Sequence, residues 1–192
     1  VLQTFAYTFT EKPPKNIRPR DNVMVRVALL VPEFNHDRDT VRPITSNTNH
    51  VSLGLVEAWA GVAKRLSIWD YWVLYKQPFH SPYTNISAIQ TDLRTYKKNG
   101  VTDIFIESEY PETTSFFELK RWLGLKLMQN PDQNVDRLVT DFMEGYYGDA
   151  APIMRQYLDY LEKRMAEVSG KFGSVSPANR RYMDLAFFTR VE

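Results

Sequence analysis

Residues 66–109 read LSIWDYWVLYKQPFHSPYTNISAIQTDLRTYKKNGVTDIFIESE, and they contain one complete strand, helix and second strand. LSIWDYWVL, at 66–74, is mostly apolar and rich in aromatic residues, as buried strands are. Beyond a proline-broken loop, four apolar residues recur at helical spacing behind an Asn85 cap, and Gly100 ends the helix; they are Ile86, Ile89, Leu93 and Tyr96. VTDIFIESE, at 101–109, is again a strand. The order predicts parallel strands joined by a right-handed crossover.

The same alternation extends in both directions from this unit. VLQTFAYTF, at 1–9, alternates with strand periodicity, and VMVRVALLV, at 23–31, is nearly continuous in apolar character, as strands buried on both faces are. A polar loop follows, and then HVSLGLVEAWAGVAKR, a helix behind an Asn49 cap. After 101–109 a further helix runs through Phe116, Leu119, Leu123 and Leu127. The alternation therefore predicts four successive strand-helix units, one beginning at each of these strands.

Four such units predict an α/β fold and equal half of an eight-stranded barrel. An open doubly wound sheet also fits the count, but it usually carries a glycine-rich phosphate turn, and none of the four junctions has one. Beyond residue 130 the pattern is helical, with an Asp132 cap, a helix from about Pro152 to Val168 and a last helix near Pro177. We expect residues 1–130 to form half of a (β/α)8 TIM barrel, and 131–192 a C-terminal helical extension packed on it.

Composition narrows the classes of partner. Lysine and arginine number 24 against 23 acidic residues, and this balance gives no reason to expect nucleic acid or an anionic membrane. No cysteine is present, which excludes disulfides and thiolate metal sites. No stretch approaches the roughly 20 apolar residues of a membrane span. Aromatic residues make up 14% of the chain, and their rings serve either in cores or as platforms for sugar faces.

Several stretches together resemble a known family. They are TFAYTFTEKPPKNIRPRDNVMVRVA, LSIWDYW, NGVTDIFIESE and the long segment around DFMEGYYGDAAP, all within residues 3–165. They are similar to a bacterial domain-of-unknown-function family in the glycoside hydrolase barrel clan, whose members resemble the catalytic region of α-glucuronidases and hexosaminidases. The resemblance implies that the chain is strands five to eight of such a barrel and part of a longer protein, with the general acid upstream of Val1. It also implies a carbohydrate ligand, a glycoside hydrolase-like function and a periplasmic or extracellular location.

In such a barrel, ligands bind at the C-terminal ends of the strands. Glycoside cleavage needs two carboxyl groups about 5 to 9.5 Å apart, so we expect Asp70 and Glu107 to be catalytic and Asp70 to face the barrel mouth. The rings beside Asp70 would offer a stacking face for a sugar. The predicted substrate contacts at the four strand ends are Tyr7, Glu33, His36, Trp69, Tyr71, Trp72, Glu109 and Tyr110.

Two alternatives remain open. The first is a carbohydrate-binding barrel without catalysis, in which the carboxylates only accept hydrogen bonds from hydroxyl groups. The second is a structural α/β domain, which burial of both carboxylates in salt bridges would favour. His36, Asp37 and Asp39 match no metal-site spacing, and we expect neither a metal nor a cofactor. Half a barrel leaves two strand edges unpaired, so we expect the rest of the barrel or a second copy to cover them.

Overall fold

The computed structural model describes residues 1–30, 38–73, 83–108 and 115–172. Within these ranges the strands are β1 (Leu2–Ala6), β2 (Val23–Ala28), β3 (Arg65–Trp72) and β4 (Val101–Ser108). The α-helices are α1 (His50–Ala60), α2 (Ile86–Lys98), α3 (Phe117–Gln129), α4 (Val135–Tyr147) and α5 (Ala151–Phe172). The four predicted strands are present, and an α-helix follows each of β2, β3 and β4. Strand β1 is followed only by a 3-10 turn at Thr8–Thr10, so three of the four predicted strand-helix units are found. The helix predicted near Pro177 lies outside the described residues.

The strands form one parallel sheet in the order β1-β2-β3-β4. Met24 of β2 pairs with Arg65 of β3 at one end of the sheet, and Trp72 of β3 pairs with Ser108 of β4 at the other. Because each strand lies beside its predecessor, every crossover advances in one direction, whereas the order reverses in a doubly wound sheet. The predicted α/β class and parallel sheet are confirmed, and the arrangement is consistent with half of a barrel.

The main core lies between one side of the sheet and the helices. Val25 and Val27 of β2 and Leu66 and Ile68 of β3 are at most 1% exposed and pack in one cluster with side chains from all five helices. Burying an aliphatic side chain of this size contributes about 1.5–3 kcal/mol. We call this side of the sheet the helix side, and the opposite side the open face. The core therefore determines which side of each strand is left for other contacts.

The end of β3 approaches α3 very closely at Gly124. A Cβ atom added to Gly124 would lie 2.4 Å from Cζ3 of Trp72, a distance that real Cβ atoms essentially never show. The Trp72 ring is only 4% exposed. A glycine at this point of α3 is therefore what allows the large ring to be buried between strand and helix.

The two ends of α2 are stabilised differently. Gly100 follows the helix with φ +75°, so the predicted stop is confirmed. Asn85 occupies the N-cap position, but its side chain makes no capping bond. Instead, Glu162 of α5 accepts hydrogen bonds from the backbone N–H groups of Ile86 (3.2 Å) and Ser87 (3.1 Å). A carboxylate is favoured there because the N-terminal end of a helix carries unpaired N–H donors.

Two further caps also differ from the prediction. Asn49 precedes α1, but its side chain accepts from Asp39 N–H (2.7 Å) and donates to backbone carbonyl groups of the β2–α1 loop. Helix α4 is capped by Asn134, whose side chain accepts from Arg137 N–H at 2.9 Å, and not by Asp132. Asn49 thus occupies the predicted N-cap position, but its side chain binds the β2–α1 loop, and the cap of α4 lies two residues beyond the predicted one.

Helices α4 and α5 continue the chain beyond the sheet. Gly148, with φ +54°, separates them at the predicted break. Met143 of α4 and Leu158, Leu161 and Met165 of α5 are buried and belong to the main core cluster. No helix in the described part of the chain has both the length and the apolar character required to cross a membrane.

Candidate functional site

The open face presents aromatic and polar side chains that alternate with the buried residues of the helix side. Trp69 lies at its centre, with its ring centroid 5.6 Å from that of Phe5 and 4.6 Å from that of Phe105. Phe5 and Phe105 are 47% and 41% exposed. The open face therefore carries a continuous row of rings, to which β1, β3 and β4 each contribute one.

Glu107 stands on this face near the C-terminal end of β4. The indole N–H of Trp69 donates to Oε2 of Glu107 at 3.0 Å. An indole nitrogen can only donate, so this oxygen acts as an acceptor and its position is set by the ring. The carboxylate is thus held at the strand end beside an aromatic surface.

Tyr71 is the neighbour of Glu107 in the sheet register. Its ring lies 6.4 Å from that of Trp69, with the two planes inclined by 21°. Burial raises the pKa of the Tyr71 phenol above its ordinary value, and the nearby Glu107 and Tyr7 raise it further. The hydroxyl therefore stays protonated at neutral pH and can both donate and accept hydrogen bonds.

Tyr7 follows β1 at the same edge of the sheet. Its backbone N–H donates to Oγ1 of Thr10 at 3.3 Å, and the Thr10 hydroxyl donates to the Tyr7 carbonyl group at 3.0 Å. Thr8 lies between them with φ 48°, a left-handed conformation that is uncommon for a β-branched residue. This turn holds Tyr7, which is half-buried, on the same side of the site as Tyr71 and Glu107.

A charged cluster lies on the open face closer to the N-terminal ends of the strands. Arg26 donates to Ser67 Oγ at 2.9 Å and to Asp103 Oδ2 at 2.8 Å, and Ser67 donates to the same Asp103 oxygen at 2.6 Å. The hydrogen bonds from Ser67 and Arg26 lower the pKa of the Asp103 carboxyl. The three side chains satisfy one another's hydrogen bonds and charges, so we assign the cluster a structural role and not a role in ligand chemistry.

Asp70 points to the helix side, and not to the mouth as expected. It is 0% exposed, and its carboxylate forms an ion pair with Arg38 and accepts a hydrogen bond from the Tyr96 hydroxyl at 2.9 Å. Arg38 also pairs with Asp92, whose other oxygen accepts from Ile44 N–H at 2.6 Å. Burial raises the pKa of Asp92, and Arg38 opposes this shift. Asp70 thus belongs to a buried network that joins the β2–α1 loop to β3 and α2.

The structure brings some of the predicted site residues together and separates others. Tyr7, Trp69, Tyr71 and Glu107 share the C-terminal end of the open face. Asp70 and Trp72 lie on the other side of the same strand, Trp72 against Gly124. The remaining predicted contacts, Glu33, His36, Glu109 and Tyr110, lie outside the described residues.

Sequence reasoning did not include the other residues of the open face. Arg26 interrupts the apolar run VMVRVALLV, and Asp103 interrupts VTDIF. A charged residue within a buried strand must face a partner or a polar interior, so these interruptions were a usable signal. Phe5 and Phe105 had no distinguishing signal, because aromatic residues in strands are common in ordinary cores.

The described residues give no indication of a metal centre. Within residues 1–30, 38–73, 83–108 and 115–172, no three side chains of the His, Cys, Asp or Glu type converge as ligands. His36 and Asp37 lie outside these ranges. Near its C-terminal end the open face presents the Glu107 carboxylate, phenol groups and aromatic rings.

Comparison with known proteins identifies a family but no individual relative. A model of a family described as a domain of unknown function matches residues 1–159, which include the whole sheet, helices α1 to α4 and the start of α5. No curated protein and no solved structure matches the chain significantly. Because the match extends over most of the chain, this protein belongs to the domain of unknown function family DUF4838.

Proposed function

We propose that this protein is a carbohydrate-active domain, the second half of a (β/α)8 barrel of the glycoside hydrolase type, in which Glu107 acts on a glycan. The observation that carries the proposal is the position of Glu107 at the C-terminal end of the open face, hydrogen-bonded to Trp69 and flanked by Tyr71. In barrel enzymes this end of the sheet is where ligands are bound and transformed.

Two features support the barrel. The strands follow one another in sequence order across the sheet, as they do around a barrel. Successive side chains of each strand also alternate between the open face and the apolar helix side, as they do in a barrel. The aromatic rings and the Arg26–Asp103 ion pair of the open face are compatible with the interior of a barrel. Within the described residues, β1 and β4 each have a strand on one side only. The remainder of the barrel, or a second copy, would pair with these two edges.

Glycoside cleavage fits the groups at this end of the face. A carboxylate can serve as nucleophile or as base, and a second carboxyl group about 5 to 9.5 Å away must donate the proton. By sequence position, Glu33 and Glu109 are candidates for that second group, and so is a residue of the proposed other half of the barrel. Trp69 offers a ring for the apolar face of a sugar, and the protonated Tyr71 can bind a hydroxyl group.

Hydrolysis of 4-nitrophenyl glycosides and oligosaccharides by the full-length protein, which would contain both halves of the proposed barrel, and by its Glu107→Gln form tests the proposal. We expect the substitution to lower turnover by about 10²–10⁴-fold, because it removes the reacting carboxylate while keeping an acceptor for the Trp69 N–H. The matched control is Asp103→Asn, on the same strand and face but paired with Arg26. Turnover that is equal in Glu107→Gln and wild type would exclude Glu107 from the mechanism.

One observation favours a second candidate function, carbohydrate binding without catalysis. Of the two carboxylates predicted to act together, only Glu107 lies on the open face, while Asp70 is buried on the helix side. For a binding domain we expect Trp69→Ala to abolish sugar affinity and Glu107→Gln to preserve most of it, with no turnover in either. Hydrolysis lost on a single carboxylate substitution would reject this candidate.

A further inference from the structure

Helix α5 contacts three successive strand-to-helix junctions at the C-terminal edge of the sheet. The first is the start of α3, after β4. The Tyr157 ring lies 5.5 Å from that of Phe116, the residue directly before α3, which has φ 57°. Phe116 is 5% exposed. Helix α5 thus packs against the residue at which the chain turns into α3.

The second contact is with the start of α2, after β3. Glu162 accepts hydrogen bonds from the Thr84 hydroxyl (2.6 Å) and from the backbone N–H groups of Ile86 (3.2 Å) and Ser87 (3.1 Å). The first N–H groups of a helix have no partner within the helix, so Glu162 supplies partners that α2 cannot provide itself. Thr84 is 0% exposed, which shows that this contact is enclosed.

The third contact is with the β2–α1 loop. Arg42 donates to Ser169 Oγ at 2.8 Å and to the carbonyl group of Ala166 at 3.0 Å, and the Ser169 hydroxyl donates to Asp39. Asp39 is 0% and Ser169 5% exposed. This loop also contains Arg38, which forms the ion pair with Asp70 of β3.

The spacing along α5 matches the spacing of the units beneath it. From Tyr157 to Ser169 the helix advances about 18 Å at 1.5 Å per residue. Neighbouring helices pack about 8–10 Å apart, so three consecutive units extend over about 16–20 Å. Glu162, Ala166 and Ser169 stand at i, i+4 and i+7, on one side of the helix.

We propose that α5 is a strap that holds these three junctions in place, and that Glu162 is a positioning residue for the site at this edge. The second part rests on the proposed function, since it requires a ligand at the C-terminal end of the open face. Glu162 acts through the start of α2, the helix that follows β3, and β3 is the strand that carries Trp69 and Tyr71.

Amide hydrogen exchange in Glu162→Gln tests the strap. One amide oxygen cannot accept from all three donors, so we expect exchange at Ile86 and Ser87 to be about tenfold faster, with little change at Ile68 in β3. The control is Asp159→Asn on α5, whose carboxylate binds Arg155 of the same helix. Unchanged exchange at Ile86 and Ser87, or the same acceleration at all three amides, would overturn the strap.

Binding of 4-nitrophenyl glycosides, followed by tryptophan fluorescence, tests the positioning role. We expect Glu162→Gln to weaken binding several-fold and Asp159→Asn to leave it unchanged. If the wild-type protein binds none of these glycosides while the exchange result holds, the proposed function fails and the strap stands. Glycoside affinity that is unchanged in Glu162→Gln, despite faster exchange, would overturn the positioning role.

Discussion

Asp70 and Glu107 stand at the same end of neighbouring strands but on opposite sides of the sheet. In the register of β3 and β4, Asp70 lies beside Ile106, and Tyr71 lies beside Glu107. Because successive side chains of a strand point to opposite sides, this offset of one residue separates the two carboxylates. Asp70 therefore enters the buried network with Arg38, while Glu107 contacts Trp69 on the open face. The first lies in a buried ion-pair network, and the second is the carboxylate on which the proposed function rests.

Removing the Asp70 carboxylate is expected to destabilise the fold strongly. Asp70→Ala leaves the buried Arg38 with one of its two carboxylate partners and leaves the Tyr96 hydroxyl without its acceptor. We expect a loss of about 3–5 kcal/mol in the free energy of unfolding, measured by urea denaturation.

The control for Asp70→Ala is Asp21→Ala, since Asp21 pairs with Lys64 in an exposed position, where both side chains are at least 70% exposed. Exposed ion pairs contribute little, so the free energy of unfolding should hardly change. Equal losses in the two variants would contradict a special role for the buried network.

Replacing Glu107 is expected to change the free energy of unfolding only slightly, in contrast to replacing Asp70. Glu107 is only partly buried, and Glu107→Gln keeps an oxygen that accepts from the Trp69 N–H. The free energy of unfolding should therefore change by less than about 1 kcal/mol, as measured in the same urea titrations. A loss as large as that of Asp70→Ala would mean that Glu107 is structural, and would remove the support for the proposed function.

Gly124→Ala is expected to destabilise the protein although alanine favours helices. The added methyl group would lie within 2.6 Å of two atoms of the Trp72 ring, and overpacking of this kind costs about 1–3 kcal/mol. Gly145→Ala in α4 is the matched control, because nothing lies within 4 Å of its added Cβ. There the helix propensity should raise stability by about 0.5–1 kcal/mol. Melting temperatures of both variants give the comparison, and a stabilised Gly124→Ala would show that the Trp72 ring is not fixed.

The stability difference between wild type and Asp103→Asn is expected to depend on pH. Ser67 and Arg26 lower the pKa of Asp103 in the folded protein, so its contribution is present above the unfolded pKa of about 3.9. It is lost as the pH falls through the lower, folded pKa. Urea titrations at pH 6 and pH 3 should therefore give a larger difference at pH 6. A difference that grows on acidification would contradict the assigned direction of the shift.

Much of the site could have been anticipated from the alternation along one strand. In LSIWDYW, the period of two groups Asp70 with Leu66, Ile68 and Trp72, the residues that face the helices. The same period groups Trp69 and Tyr71 on the opposite face. The expectation that Asp70 faces the mouth rested on its position at the strand end and not on this alternation.

The sequence alone determined the four strands, the helices that follow β2, β3 and β4, and the parallel class of the sheet, because periodicity and the glycine stop after α2 are local properties of the chain. The cap of α2 was decided by a tertiary contact, since Glu162 reaches α2 from 76 residues away. The partner of Asp70 was also decided by a tertiary contact. A buried carboxylate requires a compensating charge, and the fold places Arg38 beside it. The sequence therefore specifies which elements form, while packing between distant elements decides which charges are buried and which are available to a ligand.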